Sequence, residues 1–208
     1  TIETVDLNEL TTFDPRWVDS LSLSLPCYEV PVPKRTMRLP NAPRNYRNGI
    51  HRGLDFFANW GTPVRSVAEG IVVRSDLHYE EVPADFRENL LKATTKVGHT
   101  PSDIFNSVLL GKSVFLDHGF DLIPGFRTIS IYAHLSHIEK EIVPGAIVKR
   151  GELLGKSGNT GMRESTIGSK AGSHLHWEMI LQKGEQEIYL GKGMSNPELY
   201  DMLFRIFN

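Results

Sequence analysis

His174-Leu175-His176-Trp177-Glu178 alternates polar with apolar residues, the period-2 pattern of a strand with one buried face. In such a strand His174, His176 and Glu178 share a face, while Leu175 and Trp177 point the other way into a core. The β character runs on to Leu181. A second stretch, Gly49-Ile50-His51-Arg52-Gly53-Leu54-Asp55, offers another imidazole and a carboxylate. His51 and Asp55 are four apart, a helical spacing, but Gly49 and Gly53 argue against a helix. His51 is read as the end of a glycine-bracketed loop and Asp55 as the first inward residue of a strand. Gly53 would let the backbone turn closely enough for both side chains to reach one ion.

Working outward, short apolar runs recur between Gly/Pro punctuation: Leu54 to Ala58, the turn Asn59-Trp60-Gly61-Thr62-Pro63, Val64 to Val67 and Gly70 to Val73. Lys112 to Leu116, Thr128 to Ala133 and Ala146 to Val148 continue the pattern. The expected fold is mainly β, with an antiparallel β-sheet core. The exception is an insertion at about 77–111, where Phe86, Leu90, Leu91 and Ala93 fall near helical spacing. A second helix is expected from about Pro101 to Leu110, with Thr100 as N-cap, Asp103 completing a box-like pattern and Gly111 as its stop. Asn196-Pro197 starts a short C-terminal helix that docks Leu199, Leu203 and Phe207 on the core.

Residues 1–48 form an N-terminal arm, with proline at 15, 26, 31, 33, 40 and 43. Lys34, Arg35, Arg38, Arg44, Arg47 and Arg52 lie in a stretch with no acidic residue. The arm is either a solvated segment crossing the domain or a basic rim that meets a carboxylate-bearing substrate. Residues 49–208 are expected to form the second, metal-binding domain.

The two quoted motifs supply imidazoles and a carboxylate, which zinc prefers. Three protein ligands with an open fourth position characterise a hydrolytic zinc site, and structural sites usually close with cysteines. The chain has one cysteine, Cys27, so a closed thiolate site is out of reach and metal-assisted hydrolysis is indicated. Glu178 is a candidate to orient an imidazole by accepting its other N–H. His134, in Tyr132-Ala133-His134-Leu135, reads as structural when taken alone. His78, His99, His118 and His137 have no spaced partner and read as structural or surface groups. Gly155 to Gly161 lacks the phosphate-loop spacing and reads as a β-turn cluster at a cleft edge.

The 208 residues suffice for one well-buried core, or two small lobes. A net charge of −2 and a pI near 6.4 give no argument for nucleic-acid binding. No apolar run is long enough to span a membrane. Thr1-Ile2-Glu3-Thr4 lacks the basic and apolar regions of a signal peptide; a leader or anchor is expected to lie outside this sequence.

The motifs together resemble the LytM/lysostaphin-type zinc metallopeptidases, which cut peptide bonds in bacterial peptidoglycan. The matches fall in the family's order: Gly49 to Asp55, Gly61 to Val64, Tyr132 to Leu135, Val143-Pro144-Gly145 to Gly151, Gly155 to Gly161, His174 to Glu178, and Asn196-Pro197. The resemblance implies a lysostaphin-like β fold (the duplicated hybrid motif), with His51, Asp55 and His176 holding zinc. It implies His134 and His174 as the catalytic histidines beside a water whose pKa zinc lowers to about 7; which of the two is the general base stays open. It further implies peptidoglycan peptides as substrate, an extracytoplasmic location and regulatory partners in wall remodelling. The alternative is a catalytically idle scaffold that activates another wall hydrolase, whose mark would be missing ligands; none is missing. Phosphotransferase carrier domains and biotinyl or lipoyl hairpins share β features, but a carrier needs no carboxylate at Asp55 and a biotinyl or lipoyl domain would need its modified lysine in a tight turn.

Overall fold

The computed structural model describes residues 12–207; the first part of the expected arm, including the Thr1–Thr4 reading, lies outside the described residues. Every strand pairing is antiparallel. The strands are β1 Pro43–Arg44, β2 Gly49–Ile50, β3 Leu54–Phe56, β4 Pro63–Arg65, β5 Gly70–Ser75, β6 Val114–Asp117 and β7 Arg127–Ala133. They continue with β8 Leu135–Ile138, β9 Ile147–Val148, β10 Leu153–Ser157, β11 Leu175–Lys183 and β12 Gln186–Tyr189. The large sheet runs β12-β11-β7-β6-β5-β9, with β3 added to β11, and a smaller sheet runs β4-β10-β8. The expected antiparallel β fold is what the chain adopts.

The two faces of the large sheet have different tasks. Along β11, Leu175, Trp177, Met179 and Leu181 enter the main core, where Phe56, Tyr132 and Leu135 are also fully buried. Burying side chains of this size is worth about 1.5–3 kcal/mol each. The opposite face carries His176 and Glu178, then Ile180, which joins Ile131 and Ala133 of β7 in a second cluster. That cluster is roofed by Phe105, Leu109 and Leu110 from the insertion, so the face that carries His176 and Glu178 is also the side the insertion covers.

The insertion is helical, but not as its apolar spacing predicts. Helix α1 spans Ala84–Val97, yet its buried residues are Arg87 and Thr94, while Phe86 is 51% exposed. After α2, Ser102–Ile104, the chain forms a turn of π-helix at Phe105–Leu109. Pro101, not Thr100, stands at the α2 N-cap and no side chain caps it; the Thr100 hydroxyl instead donates to the Arg47 carbonyl. A short helix α3 spans Arg163–Thr166, and the C-terminal helix α4, Glu198–Ile206, buries Leu199, Met202, Leu203 and Ile206 on one face, with Phe207 following into the core.

The arm is not a solvated segment over its described length. Phe13, Val18, Leu21, Leu23, Cys27, Val32 and Leu39 all belong to the main core. Proline keeps this stretch from forming long helices or central strands, so it is held by side-chain burial and scattered hydrogen bonds such as Leu23 N–H to the Ile206 carbonyl.

Candidate metal centre

Strand β11 lies between β3 and β7, and that adjacency builds the site. Asp55 sits directly opposite His176 in the β3–β11 register, and Ala133, just before His134, sits opposite His176 on the other side. Residues 51–55, 133–134 and 174–176 thus meet without any long connection having to fold over.

Gly53 permits the β3 approach. A Cβ there would stand 2.2 Å from the Trp177 carbonyl oxygen and 2.7 Å from Glu178 Cγ. Gly53 thus serves close contact with β11 rather than the turn its place in the motif suggests.

His51, Asp55 and His176 converge, all buried, as a group able to hold a metal ion. His51 Nε2 lies 2.9 Å from Asp55 Oδ1 and 3.0 Å from His176 Nδ1, and His176 Nδ1 is 2.8 Å from the same carboxylate oxygen. The far side of each ring fixes its tautomer. His51 Nδ1 donates to the Leu39 carbonyl at 2.8 Å, leaving a lone pair on Nε2 of the neutral ring. His176 Nε2 donates to Glu178 Oε1 at 2.8 Å, leaving a lone pair on Nδ1. Three potential ligand atoms therefore point at one another, an arrangement that needs a cation among them, either a proton on His176 Nδ1 or a metal ion. The donor set, two imidazoles and one carboxylate, is that of a hydrolytic zinc site.

The ionisation of the group follows the same field. Burial opposes charge on His176, but the hydrogen bonds to Asp55 and Glu178 outweigh it and raise its pKa to about 9, so a metal ion would take its place on Nδ1 by displacing a proton. Burial would likewise raise Asp55, yet the surrounding histidines hold it well below the ordinary carboxylate value. Glu178 is fully buried and is kept charged by His176 and by Arg52, whose Nη2 is 3.2 Å from Oε2.

His134 and His174 stand beside it, their rings 4.9 Å apart. His134 Nδ1 donates to the Thr160 carbonyl and His174 Nδ1 to the Gly172 carbonyl, each at 2.8 Å. Each neutral ring therefore presents an Nε2 lone pair. Burial pushes the pKa of His174 down, and that of His134 well below the usual imidazole value. His134 adopts φ +60°, a backbone region uncommon outside glycine, and its N–H donates to the Leu110 carbonyl at 2.9 Å. His174 lies just before β11, in a bridge with Gly158, rather than on the strand.

Glycine-rich residues 155–161 do more than turn the chain. Gly155 and Ser157 belong to β10, Thr160 holds His134, and Asn159 Nδ2 donates to the Ser169 and Ala171 carbonyls, fixing the loop that leads to His174. His118 is buried between the Glu69 carbonyl and the Ser130 hydroxyl, while His78, His99 and His137 are exposed, away from the cluster.

The sequence reading missed the contribution of the arm. Arg44 Nη2 is 2.9 Å from Asp55 Oδ2, so the guanidinium holds the outer oxygen and leaves Oδ1 to the imidazoles. Arg38 donates to the Asp55 carbonyl at 3.2 Å. The cluster of arginines was visible as a signal; their partners were not. A cavity of ≈ 460 Å³ opens over the centre, walled by the arm at Arg44 and Arg47 and by the insertion at Arg87, Leu91 and Phe105.

Residues 93–188 match Peptidase family M23. That match covers a little under half of the chain. The M23 match begins downstream of His51 and Asp55, which the β3–β11 pairing brings to the matched half. An L-Ala–D-Glu endopeptidase of Bacillus subtilis is 26% identical over 142 residues, 66% of this chain and 32% of the relative. The chain thus spans about a third of the length of that curated protein. The catalytic domain of lysostaphin from Staphylococcus simulans is 21% identical, covering 81% of this chain and 86% of that domain with a TM-score of 0.42. A zinc-containing peptidase from Vibrio cholerae is 20% identical, covering 80% of this chain and 39% of that one with a TM-score of 0.42.

Proposed function

We propose that this chain is a zinc-dependent endopeptidase of the M23 kind, acting on peptide cross-links or stem peptides of bacterial peptidoglycan, outside the cytoplasm. The observation that carries the reading is the convergence of three potential ligand atoms within 3.0 Å of one another beside two further imidazoles that line the same cavity. His51 Nε2, Asp55 Oδ1 and His176 Nδ1 would hold the metal. Zinc, when bound, supplies Lewis-acid polarisation of a peptide carbonyl and acidifies water.

The chain's own groups handle the proton. With Nδ1 committed to a carbonyl, neither His134 nor His174 can donate from Nε2 until it has accepted a proton there. One of them takes the proton of the attacking water, and the imidazolium so formed then donates to the departing amine or the developing oxyanion. The depressed pKa values keep both rings neutral at pH 7, ready to accept. Arg44 and Glu178 hold the ligand side chains in place, and the insertion narrows solvent access. Among the described residues no helix is long and apolar enough to cross a membrane.

The direct test is incubation of the zinc-loaded protein with purified wall preparations of different cross-link chemistry, followed by identification of new amino termini. New termini that vanish with a chelator and return with zinc are expected. Zinc binding with no peptide bond cut in any preparation would favour an idle scaffold and overturn the reading.

A further inference from the structure

Four arginines face the cavity over the metal centre, and two of them lack an anion. Arg44 is paired with Asp55, and Arg163 lies on the exposed rim. Arg47 and Arg87 are only 7% and 8% exposed, yet among the described residues neither has a carboxylate oxygen within 4.0 Å. Each spends part of its guanidinium on a main-chain carbonyl. Arg47 Nη2 donates to Ile50 at 2.7 Å, and Arg87 Nε donates to Gly161 at 3.0 Å. Arg47 also lies over the Phe105 ring, 4.6 Å from its centre.

A guanidinium carries five N–H donors, so even with Tyr46 beside Arg47 both residues keep donors to spare. No nitrogen of either is sealed from solvent without a partner. A buried cation without a counter-ion is costly, and burial does lower the pKa of Arg47. No neighbouring acid makes a direct pair with either: Glu178, which acts on Arg47 at longer range, is paired with Arg52, Glu81 accepts from the Gly161 N–H and the Tyr79 hydroxyl, and Glu88 and Glu164 lie on the rim. Both arginines are tied to the catalytic framework. Ile50 precedes His51, and Gly161 follows Thr160, which holds His134.

We infer that Arg47 and Arg87 form an anion-binding subsite that takes carboxylates of the substrate peptide. The inference rests on the endopeptidase reading and narrows its substrate to acidic stem peptides, in preference to uncharged glycine bridges. Arginine suits the task because its planar fork matches a carboxylate.

The test compares N-acetyl-L-Ala-γ-D-Glu-L-Lys, which carries free carboxylates, with its diamide. Titration calorimetry, with and without zinc, reads binding. Hydrolysis of both peptides and of pentaglycine by the zinc-loaded protein reads turnover. The acid is expected to bind the unmodified protein roughly tenfold more tightly, or better, as charge-assisted hydrogen bonds would give. Arg47→Gln and Arg87→Gln are each expected to cut that ratio below about threefold, a loss of charge-assisted bonding, while Lys140→Gln on the exposed surface leaves it unchanged. Arg87→Lys, which keeps the charge but not the fork, is expected to fall between. A ratio near one in the unmodified protein overturns the subsite whatever the variants do, as does a ratio that survives both Gln changes in folded protein. If no peptide is cut but the acid still binds preferentially, the endopeptidase reading fails and the subsite stands. If pentaglycine and the diamide are cut as readily as the acid, the subsite fails and the endopeptidase stands.

Discussion

At His51, Asp55 and His176 the deciding objects are lone pairs, and each is set by a partner on the far side of the ligand group. The Leu39 carbonyl fixes His51, Glu178 fixes His176, and Arg44 occupies the outer oxygen of Asp55. His134 differs: its Nδ1 partner is Thr160, and it lies beside the group rather than in it. The two kinds of histidine are expected to separate on mutation. His51→Ala or Asp55→Ala should lose stoichiometric zinc, measured by metal analysis after dialysis. His134→Ala should retain zinc while its rate falls about 10²–10⁴-fold, the usual size of a general acid–base contribution. Zinc loss in His134→Ala would place that residue among the ligands. Much at this scale was readable from spacing alone, because His176 and Glu178 are two apart and strand periodicity puts them on one face. Arg44 and Leu39 were not readable as partners, since hydrogen bonds between segments that are not periodic with one another leave no trace in either segment.

Among the elements, the β3–β11 pair contributes most to the site, and its spacing is limited by a single missing side chain. Gly53 has β11 backbone where a Cβ would be, whereas Gly61, at φ +84°, has open space there. Gly53→Ala must move β3 away from β11 and carry Asp55 with it, so it is expected to cost about 1–3 kcal/mol as overpacking. It should also weaken zinc binding. Gly61→Ala carries only a backbone cost of about 1 kcal/mol and should leave zinc affinity alone. Thermal melts with and without zinc check the pair; if Gly53→Ala keeps the zinc-dependent rise in melting temperature, close approach does not set the ligand geometry. Strand elements were legible because alternation and Gly/Pro punctuation are local signals. The insertion was legible as helix but not by face. The apolar positions suggested burial of Phe86, yet the helix turns Arg87 toward the cavity, because the surface it meets is a polar site rather than a core.

On the scale of the molecule, a network behind the metal centre joins the large sheet to the loop before β5. His118 Nδ1 donates to the Glu69 carbonyl at 2.6 Å, and its Nε2 meets the Ser130 hydroxyl at 2.7 Å. The Ser130 and Tyr132 hydroxyls are 3.3 Å apart, and Tyr132 accepts from the Val67 N–H at 2.9 Å. All of these bonds are satisfied with His118 neutral and accepting from Ser130 at Nε2. Burial lowers the His118 pKa below the usual imidazole value, outweighing the bond to Glu69 and the charge of Asp117. The sign of the linkage follows. Above about pH 6.5, the ordinary imidazole pKa, folded and unfolded chains both carry a neutral His118, and its full contribution is present. As the pH falls below that value the unfolded chain takes up a proton that the folded chain refuses. Stability is therefore lost, by at most about 1.4 kcal/mol per pH unit, until the folded pKa is reached. His118→Gln keeps a donor and an acceptor but removes the titration. It is expected to lower stability at pH 7.5 and to lose about 1 kcal/mol less than the unmodified protein between pH 7.5 and 5.5. Urea unfolding of both proteins in the same metal state measures this, because the other histidines titrate alike in the two and cancel in the comparison. Equal losses would mean that His118 takes its proton in the folded state and that the network does not depend on its neutrality.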